Sequence, residues 1–461
     1  MRTFAIALLL FSTTALSAGD WPAWRGPTGQ GTSEEKNLPL KWSAKDNVKW
    51  KVPLANQGNS TPVIWGDKLF LTQANKGGTE RSLICFNRAD GKILWQKTIA
   101  YTEAERNWDQ NWYANASPVT DGERVVVSFG SAGLYCFDFT GKELWKRTDL
   151  GKFEHAFGNS SSPILHGDLA IQWCGVNDKG RNYLLAVEKK TGKTVWEHEE
   201  SFGSWCTPVI AAIDGKDQLV FGHSQDVKGA TEARTGYLKG IDPKTGKELW
   251  SCRGLDSYIY SSPLVAGGVA VGMSGYGGSS LAVKLGGTGN ITGDRLWLHP
   301  KPTSQRVGTG VILGEYLYMV DENAVPHCYE LKTGVDLWKD EGKLRGGLTW
   351  GSLVAADGKL YLLMRNGETV VLAANPKHEV LAVNSLGAGE LSNSSVAISN
   401  GEIFIRTFKT LWCISEKKWV EIEPTERHRG NATPRTISTC RHHTFAGPSF
   451  SPFSRRSSPS E

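Results

Sequence analysis

The residues of this 461-residue chain that could do chemistry gather just before a Ser/Thr-containing strand start that recurs along the sequence. They are Asn59; Trp108, Asp109, Trp112 and Asn115, within the run Trp108-Asp109-Gln110-Asn111-Trp112-Tyr113; Glu154, His155 and Asn159; Trp205; Tyr258 and Tyr260; Arg306; Arg345 and Trp350; and Glu390 with Asn393. Aromatic planes, amides, two arginines and a few carboxylates converging on one mouth suit stacking on, and hydrogen bonding to, a flat or sugar-like ligand. The same residues also suit a hydrated channel lining with aromatic lids packed between loops, and both readings stand. Glu154-His155 is the pair best suited to acid/base work, because His titrates near neutrality. Neighbouring residues of a strand face opposite ways, however, so adjacency does not give the two a shared site. Asp109 and Glu390 offer oxygens to a calcium ion on no stronger grounds. No catalytic residue and no metal ligand is assigned.

Two repeats must position these residues. One is a turn and short strand ending in Trp: Asp90-Gly91-Lys92-Ile93-Leu94-Trp95, Thr140-Gly141-Lys142-Glu143-Leu144-Trp145, Thr191-Gly192-Lys193-Thr194-Val195-Trp196 and Thr245-Gly246-Lys247-Glu248-Leu249-Trp250. Weaker copies end at Trp297 and Trp338. The glycine supplies the positive φ of a tight turn, and the alternation after it suits a half-buried strand. The Trp side chains are expected between neighbouring sheets. The second repeat is a strand start: Ser60-Thr61-Pro62, Ser117-Pro118, Ser162-Pro163, Thr207-Pro208 and Ser262-Pro263, with degenerate copies at Thr309, Ser352 and Ser395. Proline at the first residue of a strand is tolerated by a sheet.

Self-similarity at a period of roughly 40–55 residues marks propellers and solenoids. Each unit reads as four short antiparallel strands, and there are eight starts. The unit beginning near Ser394 lacks a fourth strand, while Asn47-Val48-Lys49-Trp50-Lys51-Val52 is a strand with no unit before it. The sequence therefore predicts an all-β, eight-bladed β-propeller of four-stranded antiparallel blades, its ring closed by the N-terminal strand. The expected divisions are a signal peptide over 1–18, a lead-in over 19–46, the propeller over 47–420 and a disordered tail over 421–461.

Arg2, the apolar run Phe4 to Phe11 and the small residues Ala15 to Ala18 read as a secretory signal, too short to anchor the chain across a bilayer. An exported protein, periplasmic or extracellular, is expected. Eight cysteines in such a chain invite disulfides, but the repeat places Cys85, Cys136 and Cys328 where other units have Ala186 or Gly240. That points to a small side chain in a tight space and to buried thiols. Cys174, Cys206 and Cys252 remain open to pairing. The Trp21-Pro22-Ala23-Trp24 lead-in is stiff and is expected to lie across one face of the body, or else to line a binding site. The tail from Glu421 is rich in Ser, Pro, Arg and His and too poor in apolar residues to fold. A net charge of +5, spread along the chain, gives no basic stripe for nucleic acid.

The Ser-Pro-Val starts, the Thr-Gly-Lys-x-Leu-Trp endings and the count of eight together resemble the pyrroloquinoline-quinone (PQQ) repeat superfamily, over roughly residues 42–419. The lead-in is similar to that of exported PQQ-like propellers of planctomycete-type bacteria. The resemblance implies the propeller fold and two functional branches. One oxidises alcohols or sugars with PQQ and calcium; the other, BamB-like, is a non-catalytic part of the outer-membrane assembly machinery. Neither the adjacent cysteines nor a haem-attachment motif of the first branch is present. The expectation is thus an exported, monomeric binding scaffold for a cell-envelope protein, peptide or glycan, without a cofactor. A PQQ- and calcium-dependent oxidoreductase and a polysaccharide-active enzyme are the alternatives.

Overall fold

The computed structural model describes residues 19–416 except 109–110, 178–179, 202 and 226–234. The expected signal peptide, the expected tail and Asp109 fall outside the described residues. Eight antiparallel sheets follow one another along the chain: blades 1 (63–100), 2 (119–147), 3 (164–200), 4 (209–255), 5 (264–299), 6 (311–330), 7 (354–385) and 8 (397–414). Blade 8 takes its fourth strand from Val48–Pro53, which pairs antiparallel with Thr410–Ile414, Val52 lying opposite Leu411. The orphan strand thus closes the ring.

The Trp repeat is the junction between blades. The indole Nε1–H of Trp50, Trp95, Trp145, Trp196 and Trp297 donates to the carbonyls of Arg88, Phe139, Lys189, Pro243 and Leu331 in the next blade, at 2.9, 3.0, 2.9, 3.0 and 2.9 Å. Each ring lies flat against that blade's turn glycine. At Gly192, φ is +73° and an added Cβ would stand 2.8 Å from Trp145. Gly91, Gly141, Gly246 and Gly334 meet Trp50, Trp95, Trp196 and Trp297 in the same way. The glycine is therefore required twice, for the turn and for the approach of the indole. Across the sheet, the residue paired with each Trp is small: Cys85, Cys136, Ala186, Gly240 and Ala282. All seven described cysteines are buried free thiols, as packing at these positions demands.

Two blades depart from the pattern. In blade 4, Trp250 donates instead to Gln218 Oε1 at 2.7 Å, and Gly289-Asn290 from the next unit pairs parallel to Trp250-Ser251. The Gly286-Gly287-Thr288-Gly289 insertion displaces the turn that would have received the indole. In blade 6 the fourth strand shrinks to one bridge, Tyr329 to Asp336. There the Asp336 carboxylate takes the backbone N–H of Cys328 and of Trp338, at 3.2 and 3.1 Å, in place of a ladder carbonyl.

The strand starts form a second, inner junction. The backbone N–H of Thr61 donates to Ser117 Oγ, Ser117 to Ser162, Ser162 to Thr207 and Thr207 to Ser262, at 2.9, 2.9, 3.0 and 2.9 Å. Ser262 donates to Thr309, Thr309 to Ser352, Ser352 to Ser395, and Ser395 back to Thr61, at 3.0, 2.9, 2.9 and 3.3 Å. These eight bonds make a closed ring of buried hydroxyls around the axis. They satisfy amides that no sheet partner reaches, which is why Ser or Thr stands there in every unit.

The lead-in crosses the far side of the ring. Trp21 exchanges two backbone bonds with Ile64, Pro22 accepts from Thr120, and Thr32 bridges Ala355. Arg25 is 2% exposed and donates to the carbonyls of Thr309, Leu353 and Gln30 at 3.2, 2.9 and 2.7 Å. With carbonyls as partners and solvent excluded, burial lowers its pKa to about 9, so it remains a cation at neutral pH.

Candidate binding site

Counting two residues back from each ring hydroxyl gives one residue per blade. On one arc these are Asn393, Asn59, Asn115 and Ser160; on the other, Trp205, Tyr260, Val307 and Trp350. All eight line a single cavity of about 290 Å³. The strand alternation explains the register: the ring hydroxyl faces the axis, and so does the residue two before it, while the residue between turns into the inter-blade space. The ring members Ser162, Thr207, Ser352 and Ser395 show in the same cavity, and Trp24 of the lead-in closes it from the far side. The channel is therefore a cup with one open mouth.

The polar arc is tied together by amides. Asn59 Nδ2 donates to Asn115 Oδ1, and Asn115 Nδ2 to the Asn159 carbonyl, both at 2.9 Å. The apolar arc is a packed aromatic wall. Trp205 meets Tyr260 edge-on at 5.2 Å, Tyr276 lies 6.0 Å from Tyr260, and Phe157 lies 5.8 Å from Tyr276. Trp108, half exposed at the rim, meets Phe157 edge-on at 5.9 Å. Tyr258 and Tyr276 hold φ of +64° and +48°, a left-handed conformation unfavourable for a bulky side chain. Strain of this kind persists where the surroundings fix a side chain's direction. Burial and the neighbouring Tyr276 raise the Tyr260 phenol well above its ordinary range, so it is a neutral hydrogen-bonding group.

Among the described residues, Glu322 is the charged side chain in the lining. Trp350 Nε1 donates to its Oε1 at 2.8 Å. Behind Trp350 the Arg365 guanidinium stacks 4.8 Å from the ring centroid, so a cation stands close to the carboxylate.

Of the residues singled out in the sequence, Asn59, Trp108, Asn115, Trp205, Tyr260, Trp350 and Asn393 are brought together in the cup. Seven others are not. Asn159 and Arg306 are each one residue out of the inward register; Asn159 Nδ2 bonds the Gly175 carbonyl, and Arg306 is 2% exposed with Nη1 on Thr303 Oγ1 at 2.6 Å. His155 packs behind the wall, 4.8 Å from Trp205, with Nδ1 accepting from the Phe157 amide at 3.0 Å. Its neighbour Glu154 pairs with Lys152 at 2.9 Å. Trp112 packs edge-on against Phe408 and borders a separate, water-sized space beside the buried Arg81–Glu105 pair. Arg345 is largely exposed, 3.5 Å from Glu368. Glu390 bonds the Thr410 hydroxyl at 3.0 Å. Trp24 lines the cup, as the lead-in's alternative reading allowed. Phe157, Tyr276, Gln305 and Glu322 are lining residues that the sequence reading did not select; Tyr276 alone carried a signal, an aromatic set among Gly275, Gly277 and Gly278.

The sequence profile of the family described as outer membrane protein assembly factor BamB matches residues 80–340, more than half of the chain. The chain is 24% identical over 312 residues to the outer membrane protein assembly factor BamB of Moranella endobia (strain PCIT), covering 62% of this chain and 71% of that protein. It is 36% identical over 100 residues to quinoprotein alcohol dehydrogenase PedE of Pseudomonas putida, covering 21% of this chain. That match spans only 14% of the enzyme's length. A europium-containing methanol dehydrogenase superposes with a TM-score of 0.63 at 12% identity, over 87% of this chain and 98% of that one. At that identity the likeness is one of fold. Among the described residues, no helix is long and apolar enough to cross a membrane.

Proposed function

This chain belongs to the PQQ-repeat family described as outer membrane protein assembly factor BamB, and on that premise we propose that it is an exported, non-catalytic binding scaffold of the cell envelope. Its ligand, carried by a protein or a glycan, enters the cup end-on. The observation that carries this reading is the division of labour within each blade. The ring hydroxyl is the same kind of residue in all eight units, whereas the residue two before it differs from unit to unit and builds one polar and one aromatic arc. Aromatic surface with a few fixed polar groups is the make-up of a recognition pocket.

The alternatives draw less support from the lining. PQQ is a planar quinone tricarboxylate, and although the aromatic wall suits a flat ring, no Lys, Arg or His among the described residues lines the cup to meet its carboxylates. Glu322 and the amides are a sparse oxygen set for calcium, which takes several oxygen ligands. The residues present do not fit that cofactor. Glycoside hydrolysis calls for a carboxyl pair, and Glu322 is the one carboxylate among the described lining residues. Calorimetric titration with PQQ, with and without calcium, tests the choice. The scaffold reading expects no saturable heat in either case. Calcium-dependent saturation accompanied by dye reduction would replace it with the oxidoreductase.

A further inference from the structure

We infer that the cup takes the terminal residue of a neutral saccharide; this rests on the scaffold reading and names the ligand class of the same site. Four observations lead there. First, the two arcs match the two kinds of surface a sugar ring presents. Trp205, Tyr260 and Tyr276 offer aromatic faces and edges to its C–H faces, while Asn59, Asn115 and Asn393 surround its edge. An amide both donates and accepts, as a hydroxyl does, so an amide-rich arc recognises a polyol without needing a charge. Second, the charges around the cup do not favour an ion. Glu322 is offset by Arg365 behind Trp350, and among the described residues no basic side chain reaches the lining to hold an anion. Arg25 and Arg406, both fully buried and bonded to backbone carbonyls next to the hydroxyl ring, set positive charge near the floor and disfavour a cation.

Third, Tyr258 and Tyr276 keep left-handed backbone conformations that cost free energy, and both rings belong to the aromatic wall. Tyr276 is 53% exposed, so packing alone does not account for its placement. Fourth, the cup is closed below. Trp24 lies across the axis, held by the lead-in's bonds to Ile64, Thr120 and Ala355. A polymer cannot thread through, and only a chain end fits. Glu322, with one oxygen fixed by Trp350, is the polar group best placed to orient that end through a sugar hydroxyl.

The test is titration of the full chain, followed by its tryptophan fluorescence, with neutral probes: maltose, cellobiose, xylobiose and chitobiose, and the tetrasaccharide of each. Tetragalacturonate is the anionic control. At least one neutral series is expected to give saturable quenching, with disaccharide and tetrasaccharide affinities within about threefold, because only the end is held. Tyr276→Ala, at an exposed rim position, and Glu322→Gln, which keeps the Trp350 bond, are each expected to weaken binding about tenfold or more without changing the thermal midpoint. Affinity that climbs steadily with chain length, binding of tetragalacturonate alone, or no response to any neutral probe overturns the inference. In the last case, retention of an envelope protein that is lost in Trp108→Ala leaves the scaffold reading standing. PQQ-dependent dye reduction removes the scaffold reading, whatever the sugars do.

Discussion

At the rim of the propeller, Trp50, Trp95, Trp145, Trp196 and Trp297 meet a glycine and a carbonyl of the next blade with nearly the same geometry. Around the axis, the corresponding octet reads Asn, Asn, Ser, Trp, Tyr, Val, Trp, Asn. The chain thus contains its own internal comparison. Where the eight units agree, they make contacts that every junction needs. Where they disagree, the blade-to-blade contacts are individual, as from Asn59 to Asn115 at 2.9 Å and from Ser160 Oγ to the Trp205 carbonyl at 3.1 Å, and the variation is available for recognition. The buried hydroxyl ring stands between the two: it is at the axis, yet it is uniform, because it satisfies backbone amides rather than a ligand.

Several changes would break or sharpen this contrast. The largest loss is expected from Trp145→Ala, which empties a junction and removes the bond to Lys189; truncating a buried Trp costs about 3–5 kcal/mol. Guanidinium denaturation would read it, and a loss no greater than that of an exposed substitution would sever the repeat from stability.

The next effect is pH dependence at the rim between blades 3 and 4. There Glu200 is buried against His198, His223 and Lys239, at 3.1, 3.3 and 2.9 Å, and Lys239 also pairs with Glu248. Burial lowers the His223 pKa from 6.5 to about 4, despite the nearby Glu200. The unfolded chain therefore takes up a proton first, and stability falls as pH drops from about 6.5 to about 4. Glu200, held down to about 2 against burial by His198, His223 and Lys239, adds a further loss below about 4.5. His198, raised by Glu200, works the other way: its contribution is complete below 6.5 and fades as pH rises through its folded pKa. Thermal midpoints measured from pH 8 to pH 4 should fall on the acid side by on the order of 2 kcal/mol, and His223→Gln should flatten the upper part of that fall. An unchanged slope in the variant assigns the acid sensitivity elsewhere.

Ser162→Ala leaves the buried Ser117 amide without its acceptor, and about 1–3 kcal/mol is expected to be lost by the same denaturation. No loss would mean that the ring is incidental to the fold. The smallest effects belong to the variable octet. Asn59→Ala and Ser160→Ala, both only part-buried, are expected within about 0.5 kcal/mol of the parent chain by thermal unfolding.

The same contrast decides what could be read from the sequence. The Trp endings and Ser/Thr starts were legible because each recurs, and the orphan strand at Trp50 was legible because the last unit lacked one. Seven cup residues were within reach for the same reason, since they precede a recurring start. Asn159 and Arg306 were misplaced by one position, because adjacent loop residues look equally suitable until the ring hydroxyl fixes which of them faces inward. Trp24 had no repeat partner, so only the stiffness of the lead-in, and no periodic trace, pointed to a place across one face or in the site lining. Glu322 sits in the turn between the second and third strands of its blade, away from the recurring starts, so the repeat did not mark it. The disulfide option for Cys174, Cys206 and Cys252 ends in buried free thiols. Their spacing held no information on distance.

The measurement that bears most directly on the separation of fold from site sets both kinds of position in one denaturation series. Trp145→Ala is compared with a chain in which Asn59, Ser160 and Val307 are all changed to Ala. The triple variant should keep a midpoint closer to the parent than the single Trp145→Ala variant does. A triple variant that unfolds earlier than Trp145→Ala would show that the axial octet holds the fold, and the account of the cup as a surface free to vary would be wrong.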